Sequence, residues 1–132
     1  MAILFIDLDR FKPINDNYGH DAGDAVLRII AHRLRNLVRL TDTVCRQGGD
    51  EFVILIPDFH LNSSLEELAR KLLSSIEQPC LVKGVKLSVS ASIGIAAYPE
   101  HGDTFDSILQ KADTAMYEAK INHDAPICFA RN

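Results

Sequence analysis

The 132-residue chain is poor in soft metal ligands: its three cysteines, Cys45, Cys80 and Cys128, show no CxxC spacing, and its five histidines never recur at metal-ligand intervals. That excludes a zinc site, and an odd set of unpaired thiols fits a reducing, cytoplasmic compartment. No basic start with an apolar core and a small-residue cleavage site directs export. No apolar run approaches the roughly 20 residues that span a membrane, so any anchor belongs to a longer parent chain. Clusters of Lys and Arg are missing too: 14 basic residues stand against 18 acidic ones, for a net charge of −4. A polymer of DNA or RNA is thereby excluded as a partner, because phosphate contacts need a basic patch. Internal repeats and low-complexity linkers are absent. What is present is a globular composition, 47% apolar and 24% charged, at a length that suits one domain over residues 1–132.

The chain opens directly on Ala2-Ile3-Leu4-Phe5-Ile6, a continuous apolar run of the kind that forms a strand covered on both faces. With nothing ahead to cover it, the expectation is a fragment of a longer protein. After a connecting stretch with Pro13 and Gly19, Asp21 can cap a helix whose Val26, Ile29, Ile30, Leu34 and Leu37 share one face, to about Val38. Thr43-Val44-Cys45 and Phe52 to Ile56 read as strands around a tight turn at Gly48-Gly49. Ser63 or Ser64 with Glu66 or Glu67 forms a capping box for a helix carrying Leu65, Leu68, Ala69, Leu72, Leu73 and Ile76. Alternation over Val85, Leu87, Val89, Ala91, Ile93 and Ile95 predicts one long strand. A last helix should bury Phe105, Ile108, Leu109, Ala112, Ala115, Met116 and Ala119, and Ile127 to Ala130 can add a short strand. The order β-α-β-β-α-β-α-β points to an α+β fold of split βαβ type, one mixed sheet with helices packed mainly on one side.

Asp7 and Asp9, two apart at the end of the first strand, point to the same side. Such a pair also occurs in plain strand-end turns, but two like charges so close are costly without a cation. Gly48-Gly49-Asp50-Glu51 puts further acids at the hairpin bend. If that hairpin lies beside the first strand, Asp7 and Asp50 converge, and oxygen-only ligands favour Mg²⁺, which keeps waters and bridges to phosphates. Phe11-Lys12 follows the Asp pair, where backbone N–H groups and the Lys12 ammonium could hold phosphate oxygens, or Lys12 could simply be solvated. Asn15 as donor and acceptor, with Asp24 as acceptor, matches the edge of guanine; a turn residue and a helix first-turn carboxylate are the plainer alternative.

Together, Phe5-Ile6-Asp7-Leu8-Asp9-Arg10-Phe11-Lys12, Asn15-Asp16, Gly19-His20, Gly23-Asp24 and Arg46-Gln47-Gly48-Gly49-Asp50-Glu51-Phe52 resemble the GGDEF domain of diguanylate cyclases. Ser92-Ile93-Gly94-Ile95-Ala96, Tyr98-Pro99 and Ala112 to Lys120 extend the resemblance over nearly the whole chain. It implies a palm-like, nucleotidyl cyclase-like mixed sheet with helices on its faces, and condensation of two GTP into cyclic di-GMP by a homodimer. Carried over by position, Asp7, the Leu8 carbonyl and Asp50 resemble ligands of Mg²⁺, with Mn²⁺ as a substitute, and Glu51 assists deprotonation of the attacking 3′-hydroxyl. Asn15 and Asp24 would read guanine; Phe11, Lys12 and Lys120 would contact phosphate. Arg39-Leu40-Thr41-Asp42 stands where the family carries its RxxD product-inhibition site, with Arg70 as a third ligand for cyclic di-GMP. Two departures stand out. Asn122-His123-Asp124-Ala125 replaces the family's Gly-Arg-Asn, placing an acid where a base is expected, and the family's preceding helix is missing. Tyr98 to Asp103 resembles versions joined to an EAL phosphodiesterase, so the parent is expected to carry sensory and EAL domains. A catalytically silent module that binds GTP or cyclic di-GMP and regulates such a neighbour is the alternative function.

Overall fold

The computed structural model describes residues 1–59, 63–122 and 124–131, with Ser63 described by its backbone alone. In chain order the elements are β1 (Ala2–Asp9), α1 (Lys12–Tyr18), α2 (His20–Leu37), β2 (Thr43–Gly48), β3 (Glu51–Ile56), α3 (Ser63–Glu77), β4 (Cys80–Val82), β5 (Val85–Leu87), β6 (Ser90–Ala97), α4 (Phe105–Ile121) and β7 (Ile127–Phe129). Five strands form one sheet in the order β2-β3-β1-β6-β7. The apolar opening run is its central strand, antiparallel to both β3 and β6, while β7 joins β6 in parallel, so the sheet is mixed.

Ala2 to Ile6 are all buried because both faces of the sheet are covered. Strand alternation assigns the faces. Ala2, Leu4, Ile6 and Leu8 of β1, with Phe52, Ile54 and Ile56 of β3, meet Val26, Leu27, Ile30 and Leu34 of α2 and Leu65, Leu72 and Ile76 of α3. Ile3, Phe5, Val53 and Ala96 face the other way, onto Ile108, Ala112 and Met116 of α4. Helices do pack mainly on one side, where α2 and α3 lie, while α4 covers the other face. A 3.6-residue stripe shows that a helix is amphipathic but not which face of the sheet it takes.

Gly94 lets α4 approach. A Cβ there would run into the Ala112 carbonyl and the Met116 amide, so the helix backbone rests directly on β6.

The long strand expected over 85–95 is two strands. Lys83 and Gly84, at φ 48° and 80°, turn β4 back on β5 as a separate two-stranded sheet, and β6 begins only at Ser90. Leu87, Val89, Ala91, Ile93 and Ile95 nonetheless all enter the same core, so the apolar alternation runs unbroken across a gap in hydrogen bonding. The stretch with Pro13 and Gly19 is helical rather than connecting: Pro13 sits in the first turn of α1, where its missing N–H costs nothing. Gly19, at φ 90°, caps α2 in place of Asp21, which lies in the first turn. Phe105 is 47% exposed, because the buried stripe of α4 starts at Ile108. The capping box on Ser63 lies outside the described side chains, as does His123 of the departing segment.

Candidate functional site

The register of β1 and β3 builds the acidic corner. Asp7 stands directly opposite Glu51, and the Leu8 amide donates to the Asp50 carbonyl at 3.1 Å, which pins the hairpin loop to the end of β1. Gly48 pairs with Glu51, leaving Gly49-Asp50 as the two-residue loop, with a register shift between Arg46 and Gly48. Arg46 Nε donates to the Gly49 carbonyl at 2.9 Å and braces the bend. The hairpin bend therefore lies beside the end of the first strand, and the Asp50 charge adds to the upward shift of the Asp7 carboxyl.

Asp7 and Asp9 both face α4, as their spacing requires. The cation their proximity calls for is supplied by the protein: Lys120 Nζ lies 3.1 Å from Asp7 Oδ2 and 2.8 Å from Asp9 Oδ1. Ser92 Oγ donates to the other Asp9 oxygen at 3.0 Å. Burial pushes the Asp7 carboxyl above its usual range, against the pull of Lys120, with Asp50 and Asp9 adding like charge. Burial also raises Glu51, helped by the charges of Asp7, Asp113 and Asp50. Although burial works against the Lys120 ammonium, its hydrogen bonds to Asp9 and Asp7 raise its pKa.

On the other side of the bend, α1 and α2 meet at Gly23, whose missing Cβ leaves room for the Asn15 side chain. A groove of about 330 Å³ opens there, lined among others by Lys12, Asn15, His20, Asp24, Arg46 and Asp50. Five residues expected from the sequence, Phe11, Lys12, Asn15, Asp24 and Asp50, therefore surround one cavity, with buried Phe11 at its wall and exposed Asp24 at its rim. His20 and Arg46 line it without having been singled out. Arg46 stands three residues before the turn, but only the fold aims it at the groove.

Among the described residues no three His, Cys, Asp or Glu side chains converge closely enough to hold an ion by themselves. Asp7 and Asp50 supply hard oxygen only, a set that fits a cation keeping several waters and completing its shell with substrate phosphates.

Arg39 and Asp42 lie in the turn after α2. Asp42 is buried, and its Oδ2 accepts the Arg39 backbone N–H at 2.9 Å, while the Asp42 amide donates back to the Arg39 carbonyl at 3.0 Å. Arg35 clasps the same turn through the carbonyls of Asp42 and Arg39, at 2.7 and 2.6 Å. Arg70 on α3 pairs with Glu66 at 2.8 Å and lines a separate groove with Glu77 and Asp124. No hydrogen bond or ion pair joins Arg70 to Arg39 or Asp42 among the described residues.

The chain belongs to the diguanylate cyclase GGDEF domain family, whose model matches residues 1–125. It is 48% identical over 121 residues to the diguanylate cyclase TpbB of Pseudomonas aeruginosa, covering 91% of this chain and 28% of that protein. To the response regulator PleD of Caulobacter vibrioides it is 43% identical over 122 residues, covering 91% of this chain and 27% of the relative. The crystal structure of the TpbB GGDEF domain superposes with a TM-score of 0.94 at 44% identity, covering 99% of this chain and 82% of that one. The active GGEEF domain of a diguanylate cyclase from Vibrio cholerae gives 0.79 at 28% identity, over 99% and 83% of the two chains. The α+β palm-like architecture is that of these neighbours. The chain spans little more than a quarter of the length of the two curated relatives named. No helix among the described residues is long and apolar enough to cross a membrane.

Proposed function

We propose that this domain binds GTP with Mg²⁺ and forms one half of a diguanylate cyclase, two such domains meeting face to face to condense two GTP into cyclic di-GMP. The observation that carries the reading is the gathering of Lys12, Asn15, Asp24 and Asp50 around one groove at the hairpin bend, whose next residue, Glu51, stands opposite Asp7. Asn15 and Asp24 read the guanine edge, the ionised Asp24 accepting from its N–H groups. Lys12 and the backbone at Phe11 hold phosphate, joined by Lys120. Asp7, Asp50 and the Leu8 carbonyl hold Mg²⁺, or Mn²⁺ in its place; bound there, the ion neutralises charge developing on the phosphate oxygens. The 3′-oxygen of one GTP attacks the α-phosphorus of the other, and pyrophosphate leaves. Glu51, its proton affinity raised by burial and three neighbouring carboxylates, takes the hydroxyl proton. Gly49 suits this approach: a Cβ there would meet no atom of the chain, so the bend faces open space that a nucleotide can enter.

The exposed Arg39 guanidinium, in the RxxD turn, binds cyclic di-GMP as product, stacking on guanine and contacting phosphate, with Arg70 as a further arm. A second reading, a silent GTP-binding or cyclic di-GMP-binding module acting on an attached domain such as an EAL phosphodiesterase, is favoured by one observation. Asp124 occupies the position where the family carries a basic residue, and it lines a groove with Arg70 and Glu77. Calorimetry of GTP with Mg²⁺ on this chain and on Asp50→Ala, followed by assay of the same samples for cyclic di-GMP, separates the two. Binding through Asp50 with product supports the cyclase, binding without product the module, and no GTP binding overturns both readings of this groove.

A further inference from the structure

We infer that Asp9 is a positioning residue that presents the Lys120 ammonium to the nucleotide's phosphates, with the Ser92 hydroxyl locking Asp9 in turn. The inference deepens the proposed function and rests on it for the ligand, but the anchoring itself stands on geometry within the chain. Both Asp9 oxygens are engaged, Oδ1 by Lys120 at 2.8 Å and Oδ2 by Ser92 Oγ at 3.0 Å. Ser92 is 2% exposed and sits on β6 directly opposite Asp7, so the hydroxyl that orients Asp9 comes from a buried position on an interior strand of the sheet. Lys120 reaches the corner from the last turn of α4, a helix held close to that same strand by Gly94.

A lysine carries much rotamer entropy, and fixing its head before a ligand arrives lowers the cost of binding. Asp7 cannot do this alone, because in the proposed reading its oxygens turn to the metal. Asp9, already saturated by two partners, is left to keep Lys120 in place. The like-charged pair two residues apart on β1 thus divides its work, one carboxylate for the cation and one for the lysine. Linking β1, β6 and α4, residues separated by 83 and 111 positions, this arrangement exists only in the folded chain.

The test uses the 132-residue chain in two measurements. In lysine-ammonium NMR spectra, one slowly exchanging resonance should vanish in Lys120→Met, vanish also in Asp9→Asn, and broaden in Ser92→Ala. In titrations with Mg²⁺, Asp9→Asn should bind GTP about tenfold more weakly, as expected for a displaced charge-assisted contact, while guanosine binds as to the parent chain. Adding Asp9→Asn to Lys120→Met should cost nothing further, since the two act as one unit. An ammonium resonance indifferent to Asp9→Asn, or no such resonance at all, overturns the anchoring. Unchanged GTP affinity in Asp9→Asn, a loss shared equally by guanosine, or full additivity with Lys120→Met overturns the positioning role. If the parent chain binds no GTP, the proposed function falls instead, and the ammonium spectra alone decide whether Asp9 holds Lys120.

Discussion

Asp7 on β1 and Glu51 on β3 face each other directly across an antiparallel pair, on the side of the sheet that α4 covers. Cross-strand partners have Cβ atoms about 5 Å apart, where like charges repel. Lys120 offsets part of that repulsion, yet both carboxyls remain raised above their usual range, chiefly by burial. In the proposed function, charge held this way receives the cation and the hydroxyl proton.

Replacing Asp7 by Asn removes one oxygen of the proposed metal set and the like charge opposite Glu51. Product formation in an active dimeric parent should fall by roughly 100-fold or more, since a metal ion supplies several kcal/mol of charge stabilisation. Thermal unfolding should show no drop in Tm, because the ionised form of Asp7 is disfavoured in the folded state. A variant with both normal turnover and a lowered Tm would contradict both halves.

Two glycines should respond in opposite ways to alanine. Gly94→Ala drives a methyl into the backbone of α4 at Ala112 and Met116 and should cost about 3 kcal/mol, read by urea unfolding. Gly49→Ala meets only open space, so stability should stay within about 0.5 kcal/mol while GTP affinity falls. A Gly49→Ala chain that binds GTP normally would show that the nucleotide does not approach the bend.

His101 makes stability depend on pH. The Ala97 amide donates to its Nδ1 at 2.9 Å, which requires that nitrogen to be unprotonated. Burial holds the ring's pKa below the ordinary 6.5, with Glu100 opposing and Lys111 assisting. The unfolded chain therefore takes up the proton first: this contribution is complete above pH 6.5 and is lost as pH falls toward the lower folded value. Urea titrations should show the parent losing about 1 kcal/mol more than His101→Asn over that range, the usual worth of one hydrogen bond. Parallel curves would remove His101 from the account.

The RxxD turn separates by role. Asp42→Ala strips a buried carboxylate from the Arg39 amide and should cost about 1 to 2 kcal/mol in unfolding free energy. Arg39→Ala leaves that hydrogen bond intact, so it should keep its stability while cyclic di-GMP affinity, measured by calorimetry, drops at least tenfold. Equal affinities would place product binding elsewhere.

Much of the fold was readable because period and burial agree. The run from Ala2 to Ile6 is apolar on both faces and becomes the central strand, and the stripe from Leu65 to Ile76 becomes α3. Where period and hydrogen bonding part, as between Leu87 and Ser90, the pattern misleads, because side-chain alternation carries no record of which strand a backbone pairs with. α1 escaped for a related reason: Pro13 and Gly19 punctuate a loop equally well, and only docking against α2 makes seven residues helical.

The amino-acid sequence by itself determined the family, the order of elements, the same-side placement of Asp7 and Asp9, and the carboxylates at the hairpin bend, since motif spacing and strand periodicity are local properties. Tertiary structure alone decided that α4 takes the opposite face from α2 and α3, that Lys120 is the counter-charge of Asp7 and Asp9, and that Asp42 turns inward to its own backbone. These depend on contacts between residues distant along the chain or on how a turn is packed. Only the closing of the sheet and the seating of each helix determines them.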